Sequence, residues 1–482
     1  MNFEEYLRIQ SRRSFLHHCV GGLGTAALAH LLTTEGRAAS SGAVAINPLA
    51  PKPPHFTPKA KNVIFLFMAG APSQIDLFDP KPELRKWHGK PFSSSLTDDL
   101  QLAFIKPNAS AMASPRQFEP CGESGLEISD WLPHTRTIAD DICLVRSMES
   151  EAFNHHPGQS LLMSGSTLVG RPTLGSWATY GLGSESQDLP GFVVLSSGRG
   201  TSGGSSNWSS GFLPSSHEGV VFRNSGDPIL FLSNPPGVSP EMQRLGLDAL
   251  RDLNSRHSQN TGDLEIASRI ASYELAFRMQ SAAPDLLDFS DEPKHVQEMY
   301  GINEDITQQY GTNCLLARRM VERGVRFVML AHASWDQHNK LNEKLKENCD
   351  ITDKPAAALI KDLKQRGLLD STLIVWGGEF GRTPMAEVSQ TAKGLEDGAG
   401  RDHHPKGYSM WLAGGGIKGG QVVGQTDELG LSVVKEKVLV HDLQATILHC
   451  LGLEHTDLTY RRMGRDFRLT DVGGEVVKKM LA

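Results

Sequence analysis

Four short stretches gather the residue types that hold metal ions and move protons. "WDQH" at 335–338 offers Asp336 and His338, and "GGEFGR" at 377–382 offers Glu379 and Arg382. "RDHHPK" at 401–406 supplies His403, His404 and Lys406, and "NHHP" at 154–157 supplies Asn154, His155 and His156. Imidazole and carboxylate are the usual ligands of zinc, manganese and iron. Any single one of these histidines also fits a polar loop residue bonded locally. As a set, Asp336, His338, Glu379, His403 and His404 read as a divalent metal centre, with zinc or manganese favoured over calcium. The planar fork of Arg382 suits a phosphate, sulfate or carboxylate, its plain alternative being a pair with Glu379.

These stretches act together only if the fold brings them to one place. "KNVIFLFMAG" (61–70), "DDICLVRSM" (140–148), "LPGFVVLSS" (189–197), "GVRFVMLAH" (324–332), "STLIVWGGEF" (371–380) and "GYSMWLAGGG" (407–416) are continuous apolar runs. That is the pattern of strands buried on both faces. Helical patterns stand between them, including "TLGSWATYGLG", "YGTNCLLARRMVER" and "PAAALIKDLKQRG". "VHDLQATILHCLGL" (440–453) reads as a further helix with Asp442 as its N-cap. The alternation predicts an α/β fold with a largely parallel central sheet flanked by helices. In such sheets ligands bind beyond the carboxyl ends of the strands. That edge collects Ser73, Asn154, His155, His156, His332, Asp336, His338, Glu379 and Arg382, with His403, His404 and Lys406 just before the last run. Ser73, His332, Arg382 and Lys406 are the candidates for touching substrate. "LAGGGIKGGQVVG" has no phosphate-loop spacing and reads as a turn between two strands.

The 482 residues suffice for one large α/β domain, and a net charge of −7 with no basic run argues against nucleic acid as partner. Near the start, "SRRSFLHHCVGGLGTAALAHLL" sets Arg12 and Arg13 before Phe15, Leu16 and a mildly apolar stretch too short and glycine-rich for a membrane span. This resembles a twin-arginine export signal over residues 1–40, followed by a Pro-rich linker over 41–60. A single domain is expected over 61–475, with insertions at about 198–310, and the mature chain carries no transmembrane span. Six scattered cysteines form no CxxC pair. Five follow the signal, so at least one thiol is expected to stay free or to bridge two chains.

"STLIVWGGEFGRTP" resembles the strand of sulfatases and alkaline phosphatases that ends in a metal motif, with Glu379, Phe380 and Gly381 in its places. "MLAHASWDQHNK" looks like the preceding Asp/His ligand loop, and "RDHHPKGYSMWLAGGGIKGG" like the segment carrying a later His ligand. "HHPGQSLLMSG" resembles the sulfatase nucleophile segment, with His155 in the nucleophile's seat. "FDPKP" (78–82), "WDQH", "GGEFGRTP" and "DHHP" together resemble the domain of unknown function 1501 family, assigned to the same superfamily, over about 60–470. The resemblance implies an alkaline phosphatase-like three-layer sandwich.

The chain departs from the superfamily pattern at three places. No acid follows the first strand before Asp76, Gln159 replaces the arginine of the nucleophile segment, and Phe380 stands where a His is usual. Chemistry through a modified Cys or Ser is therefore disfavoured. The resemblance then implies an exported, periplasmic or cell-envelope hydrolase of small-molecule or glycan phosphate or sulfate esters. Asp336, His338, Glu379 and His404 would hold the metal, and His155 would be nucleophile, acid/base or ligand, with Asn154 and His156 beside it. The alternatives are a non-catalytic binding or assembly protein on the same fold, using the "GRGTSGGSSNWSSGF" insertion and exposed aromatics such as Trp208, and an isomerase or mutase on that fold.

Overall fold

A computed structural model describes residues 47–482 apart from 99, 224–228, 230–231, 262–263, 389–394 and 396–397. The export signal and the first part of the linker fall outside the described residues. In chain order, the elements that position the site begin with β1 (Asn62–Ala69), β2 (Ile142–Glu149), α1 (His155–Ser164), α2 (Leu174–Leu182), β3 (Phe192–Ser197) and β4 (Val220–Phe222). They continue with α3 (Pro240–Thr261), α4 (Leu264–Leu287), α5 (Gln308–Glu322), β5 (Phe327–Ala333), α6 (Leu341–Gln365) and β6 (Thr372–Gly377). The last group is β7 (Gly381–Glu387), β8 (Gly400–His404), β9 (Tyr408–Ala413), β10 (Gln421–Val423), β11 (Val438–Leu439) and α7 (Val440–Cys450).

Among the described residues, nine strands form one sheet in the order β10–β2–β9–β6–β1–β5–β3–β4, with β11 also pairing β2. Only β9 runs antiparallel to its neighbours. The continuous apolar runs became the central strands because both of their faces are covered. In β1, Val63, Phe65 and Phe67 face a core made with α1, α2 and α7, while Ile64, Leu66 and Met68 face one made with α5 and α6. Three layers follow from that period-2 division. Phe65 and Phe67 are fully buried, and truncating either to Ala would cost about 3–5 kcal/mol.

Two helix boundaries differ from the sequence reading. α6 begins at Leu341 and runs through Pro355, where the apolar pattern had suggested a start. Its long buried face outweighs the lost backbone bond at the proline. Asp442 is the third residue of α7 and not its N-cap: its Oδ2 accepts the N–H of Leu439, the residue that caps the helix. The glycine-rich 414–420 turn does join two strands, β9 and β10, on either side of β2. Between 198 and 310 the chain adds β4 and the helix pair α3–α4, tied by Arg244 to Glu274 at 2.6 Å. Residues 50–60 lie along the body, where Lys52 N–H donates to Leu182 and His55 N–H to Gly452. Trp208 is half-buried against the α1–α2 core and is not an exposed aromatic. The five described cysteines are free and buried. No helix among the described residues is long and apolar enough to cross a membrane.

Candidate metal centre

The carboxyl ends of β1, β2, β5 and β6 share one edge, and the hairpin β7–β8 folds over it. In that hairpin His403 pairs with Arg382 and His404 with Gly381. Two glycines allow the close approach. A Cβ on Gly70, whose φ is +113°, would sit 2.7 Å from the backbone nitrogen of Asp336. One on Gly400 would sit 2.1 Å from the carbonyl carbon of His338. The "WDQH" loop is thus clamped between the end of β1 and the start of β8.

Side chains of His155, Asp336, His338 and His403 converge there, with one ligand atom from each within 4.8 Å of the others. Around Asp336 Oδ1 stand His338 Nε2 at 2.8 Å, His155 Nε2 at 3.1 Å and His403 Nε2 at 3.7 Å. His338 Nε2 and His403 Nε2 are 3.0 Å apart. Each ring is oriented through its other nitrogen. His155 Nδ1 lies 2.6 Å from Glu379 Oε1, His338 Nδ1 2.5 Å from Glu387 Oε2, and His403 Nδ1 2.7 Å from the Phe153 carbonyl. Carboxylate and carbonyl oxygens only accept, so all three Nδ1 atoms carry the proton and all three Nε2 atoms carry a lone pair in the neutral ring. Two such lone pairs facing at 3.0 Å repel unless a metal ion or a proton stands between them. His155 Nε2, buried and close to Asp336, still has no aligned hydrogen-bond partner. Tetrahedral donors 2.0–2.1 Å from an ion are separated by roughly 3.3 Å, a value that the observed 2.8–3.7 Å brackets. The residues fit a metal ion, and the supporting carboxylates and carbonyl are the usual outer shell of such a site.

Electrostatics agree with a focus of charge. Burial opposes a proton on His155, but the nearby carboxylates of Asp336 and Glu379, the latter hydrogen-bonded to Nδ1, win and raise its pKa to about 9. The same contest, fought by Asp336 and Glu387, raises His338. Burial works against ionisation of Asp336, yet its three histidine partners and Arg382 hold it far below the usual carboxylate range. His403 is lowered by burial, then by the charges of Arg382, His155 and His338.

The other sequence candidates take different places. Glu379 is fully buried and sits behind His155, its carboxylate accepting also from Gly70 N–H and Gln159 Nε2. Arg382 is fully buried as well, and its guanidinium donates to the carbonyls of Gly70, Ala71 and Arg401 and to Asp336 Oδ1 at 2.6 Å. It fixes Asp336 and has no fork left for a ligand. His404 points away from His403, as neighbours on a strand must. It is buried outside the cluster, and burial lowers its pKa to about 4. His332 is buried between Ser197 and Asn348, Ser73 donates to Asp76, and Lys406 lies 3.4 Å from Glu149. Asn154 and His156 are exposed at the start of α1. Glu387 escaped the sequence reading, because an acid near the middle of a hairpin carries no signal of its ring partner. His338, Glu387 and Asp402 form a second acidic group. Asp402 is already engaged with the backbone: one oxygen takes the N–H groups of Ala103, Phe104 and Ile105, the other that of His403.

No curated protein matches the sequence. Among solved structures, the chain is similar to the lipoteichoic acid synthase LtaP from Listeria monocytogenes, at 8% identity and a TM-score of 0.35, covering 88% of this chain and 79% of that one. It is similar to a protein in the alkaline phosphatase superfamily from Vibrio parahaemolyticus, at 10% identity and a TM-score of 0.33, covering 89% and 76%. It is similar to the PsFucS1 sulfatase from Pseudoalteromonas sp., at 11% identity and a TM-score of 0.34, covering 90% and 72%. Residues 60–481 match the family described as protein of unknown function (DUF1501), and over that span the chain belongs to it.

Proposed function

We propose that the protein is an exported metal-dependent hydrolase of phosphate or sulfate esters, with one divalent ion held by His155, Asp336, His338 and His403. The observation that carries the reading is the convergence of three Nε2 atoms and one carboxylate, each ring held through Nδ1 by an acceptor behind it. Three imidazoles and one carboxylate suit zinc or manganese better than calcium. When bound, the ion supplies Lewis acidity toward an ester oxygen and toward water. The chain does the rest. Glu379, Glu387 and the Phe153 carbonyl keep the Nδ1 protons in place, so that no ring can turn its lone pair away. Arg382 holds Asp336, whose side chain is 43% exposed and marks the open side of the site. With His155 committed to the centre and no hydroxyl or thiol in "NHHPGQ", attack on the ester falls to water. Exposed His156, the next residue after His155 in α1, is the group assigned to exchange a proton with the leaving group. Substrates are small-molecule or glycan esters. Export by the twin-arginine route to the periplasm or envelope rests on residues 12–16.

One observation favours the second reading, a non-catalytic binding protein that keeps its metal. The cations expected to hold an anion, Arg382 and Lys406, are both engaged within the chain. Metal analysis of the purified protein, with Asp336→Ala plus His338→Ala as control, tests the centre. About one ion per chain, lost in the double variant, is expected, and a wild type without metal refutes it. Aryl phosphate and aryl sulfate turnover then separates the readings, since a metal-loaded protein inert to both classes leaves only binding.

A further inference from the structure

Phe380 and Phe104 both pack on rings of the centre, and of the two Phe380 is buried while Phe104 is 65% exposed. Single exposed apolar side chains are common and need no explanation. This one is pinned. The buried carboxylate of Asp402 accepts the backbone N–H groups of Ala103, Phe104 and Ile105 at 2.8, 2.8 and 3.2 Å. Ile105 anchors the same turn by packing on a small apolar cluster with Ile75 and Met385. The ring that results stands edge-on to His338 at 4.8 Å and to His403 at 5.6 Å, at interplanar angles of 81° and 83°. Asp402 is also the residue before His403 and accepts its N–H. One carboxylate therefore fixes both a ring of the centre and the aromatic beside it.

We infer that Phe104 is a specificity-determining residue that stacks on a flat apolar face of the organic group carried by the bound anion. The inference rests on the metal-centre reading. The ring stands against His338 and His403, the two histidines 2.8 and 3.7 Å from Asp336, and its exposure leaves area for contact. A flat face comes from two sources, an aryl group or the C–H face of a pyranose, and either stacks on a Phe ring. A methyl group does not.

The test uses the full chain loaded with Zn²⁺ and non-hydrolysable anions: phenylphosphonate, a C-glycosyl methylphosphonate and methylphosphonate, with benzenesulfonate and methanesulfonate as the sulfur pair. Calorimetric binding is expected to be roughly 3- to 10-fold tighter for a flat ligand than for its methyl counterpart. The phenyl and glycosyl arms tell which source is preferred. Phe104→Ala should bring the flat ligands to within about 2-fold of the methyl ones and leave methyl binding and Zn²⁺ content unchanged. Phe104→Tyr should keep the preference, which also guards against a folding effect of the alanine. A wild type with no preference, a preference that survives Phe104→Ala, or a Zn²⁺-loaded protein that binds none of these anions overturns the inference. A chain that takes up no Zn²⁺ fails the underlying reading instead, and the two failures are distinguished by the metal content alone.

Discussion

Glu387→Ala is the sharpest probe of the centre, because it touches no proposed ligand atom. Glu387 Oε2 lies 2.5 Å from His338 Nδ1, and their side chains are only 21% and 20% exposed. The alanine removes the one acceptor that holds the His338 proton on Nδ1. The imidazole then divides its population between tautomers and gains freedom about its bonds to the backbone, so its Nε2 lone pair must be recovered when the ion binds. Loss of such an outer partner typically weakens metal affinity 10- to 100-fold, or about 1.4–2.7 kcal/mol. Competition for Zn²⁺ against a chromophoric chelator measures this directly, and the d–d spectrum of the Co²⁺ form reports the ring's geometry with no need for turnover. The neighbouring Asp402 grips backbone and not the ring nitrogen, so Glu387→Gln, which keeps an acceptor oxygen, should recover part of the loss. Equal Zn²⁺ affinity in wild type and Glu387→Ala, with the Co²⁺ spectrum unmoved, would show that His338 binds no metal or needs no orientation.

Other outcomes follow from the same physics. Asp76 and Arg401 form a fully buried pair at 2.8 Å, so Asp76→Ala should lower the unfolding free energy by about 3–5 kcal/mol in urea titration, and a loss under 1 kcal/mol would contradict the pairing. Burial depresses His332 to about 4, and burial together with Lys52 depresses His217 to about 3. For depressed folded pKa values the stability is complete above the unfolded value of about 6.5 and drains away as pH falls toward 4. The slope in that window should flatten in His332→Gln, and an unchanged slope would mean that His332 is not held neutral. Glu379→Gln replaces a buried acceptor that takes three donors with a half-donor, and should cut both metal content and thermal stability. Burial pushes the thiols of Cys143 and Cys450 up to about 12, so maleimide labelling should be slow in the native protein and reduction should leave Tm unchanged.

The strands were readable in the chain because burial on both faces leaves an uninterrupted apolar run, and a run of that length has few other places to go. The position of "WDQH", "GGEFGR" and "NHHP" at one sheet edge followed, since parallel strands all end there. Pairwise facts were not readable. Which of His403 and His404 enters the cluster depends on the register and alternation of β8, and a slip of one residue would exchange them. Arg382 looked like an anion clamp because its fork is free in the sequence, but folding spends its donors on the carbonyls of Gly70, Ala71 and Arg401. Glu379 appeared to be a ligand by its place after a strand, while its carboxylate lies behind His155. Glu387 and Phe104 gave no sign at all, since each matters only through a ring 49 or more residues away, as the Glu387–His338 separation shows. Residue type and strand order thus fixed the neighbourhood of the centre, and side-chain direction, set by packing across the β7–β8 hairpin, settled which atoms meet in it.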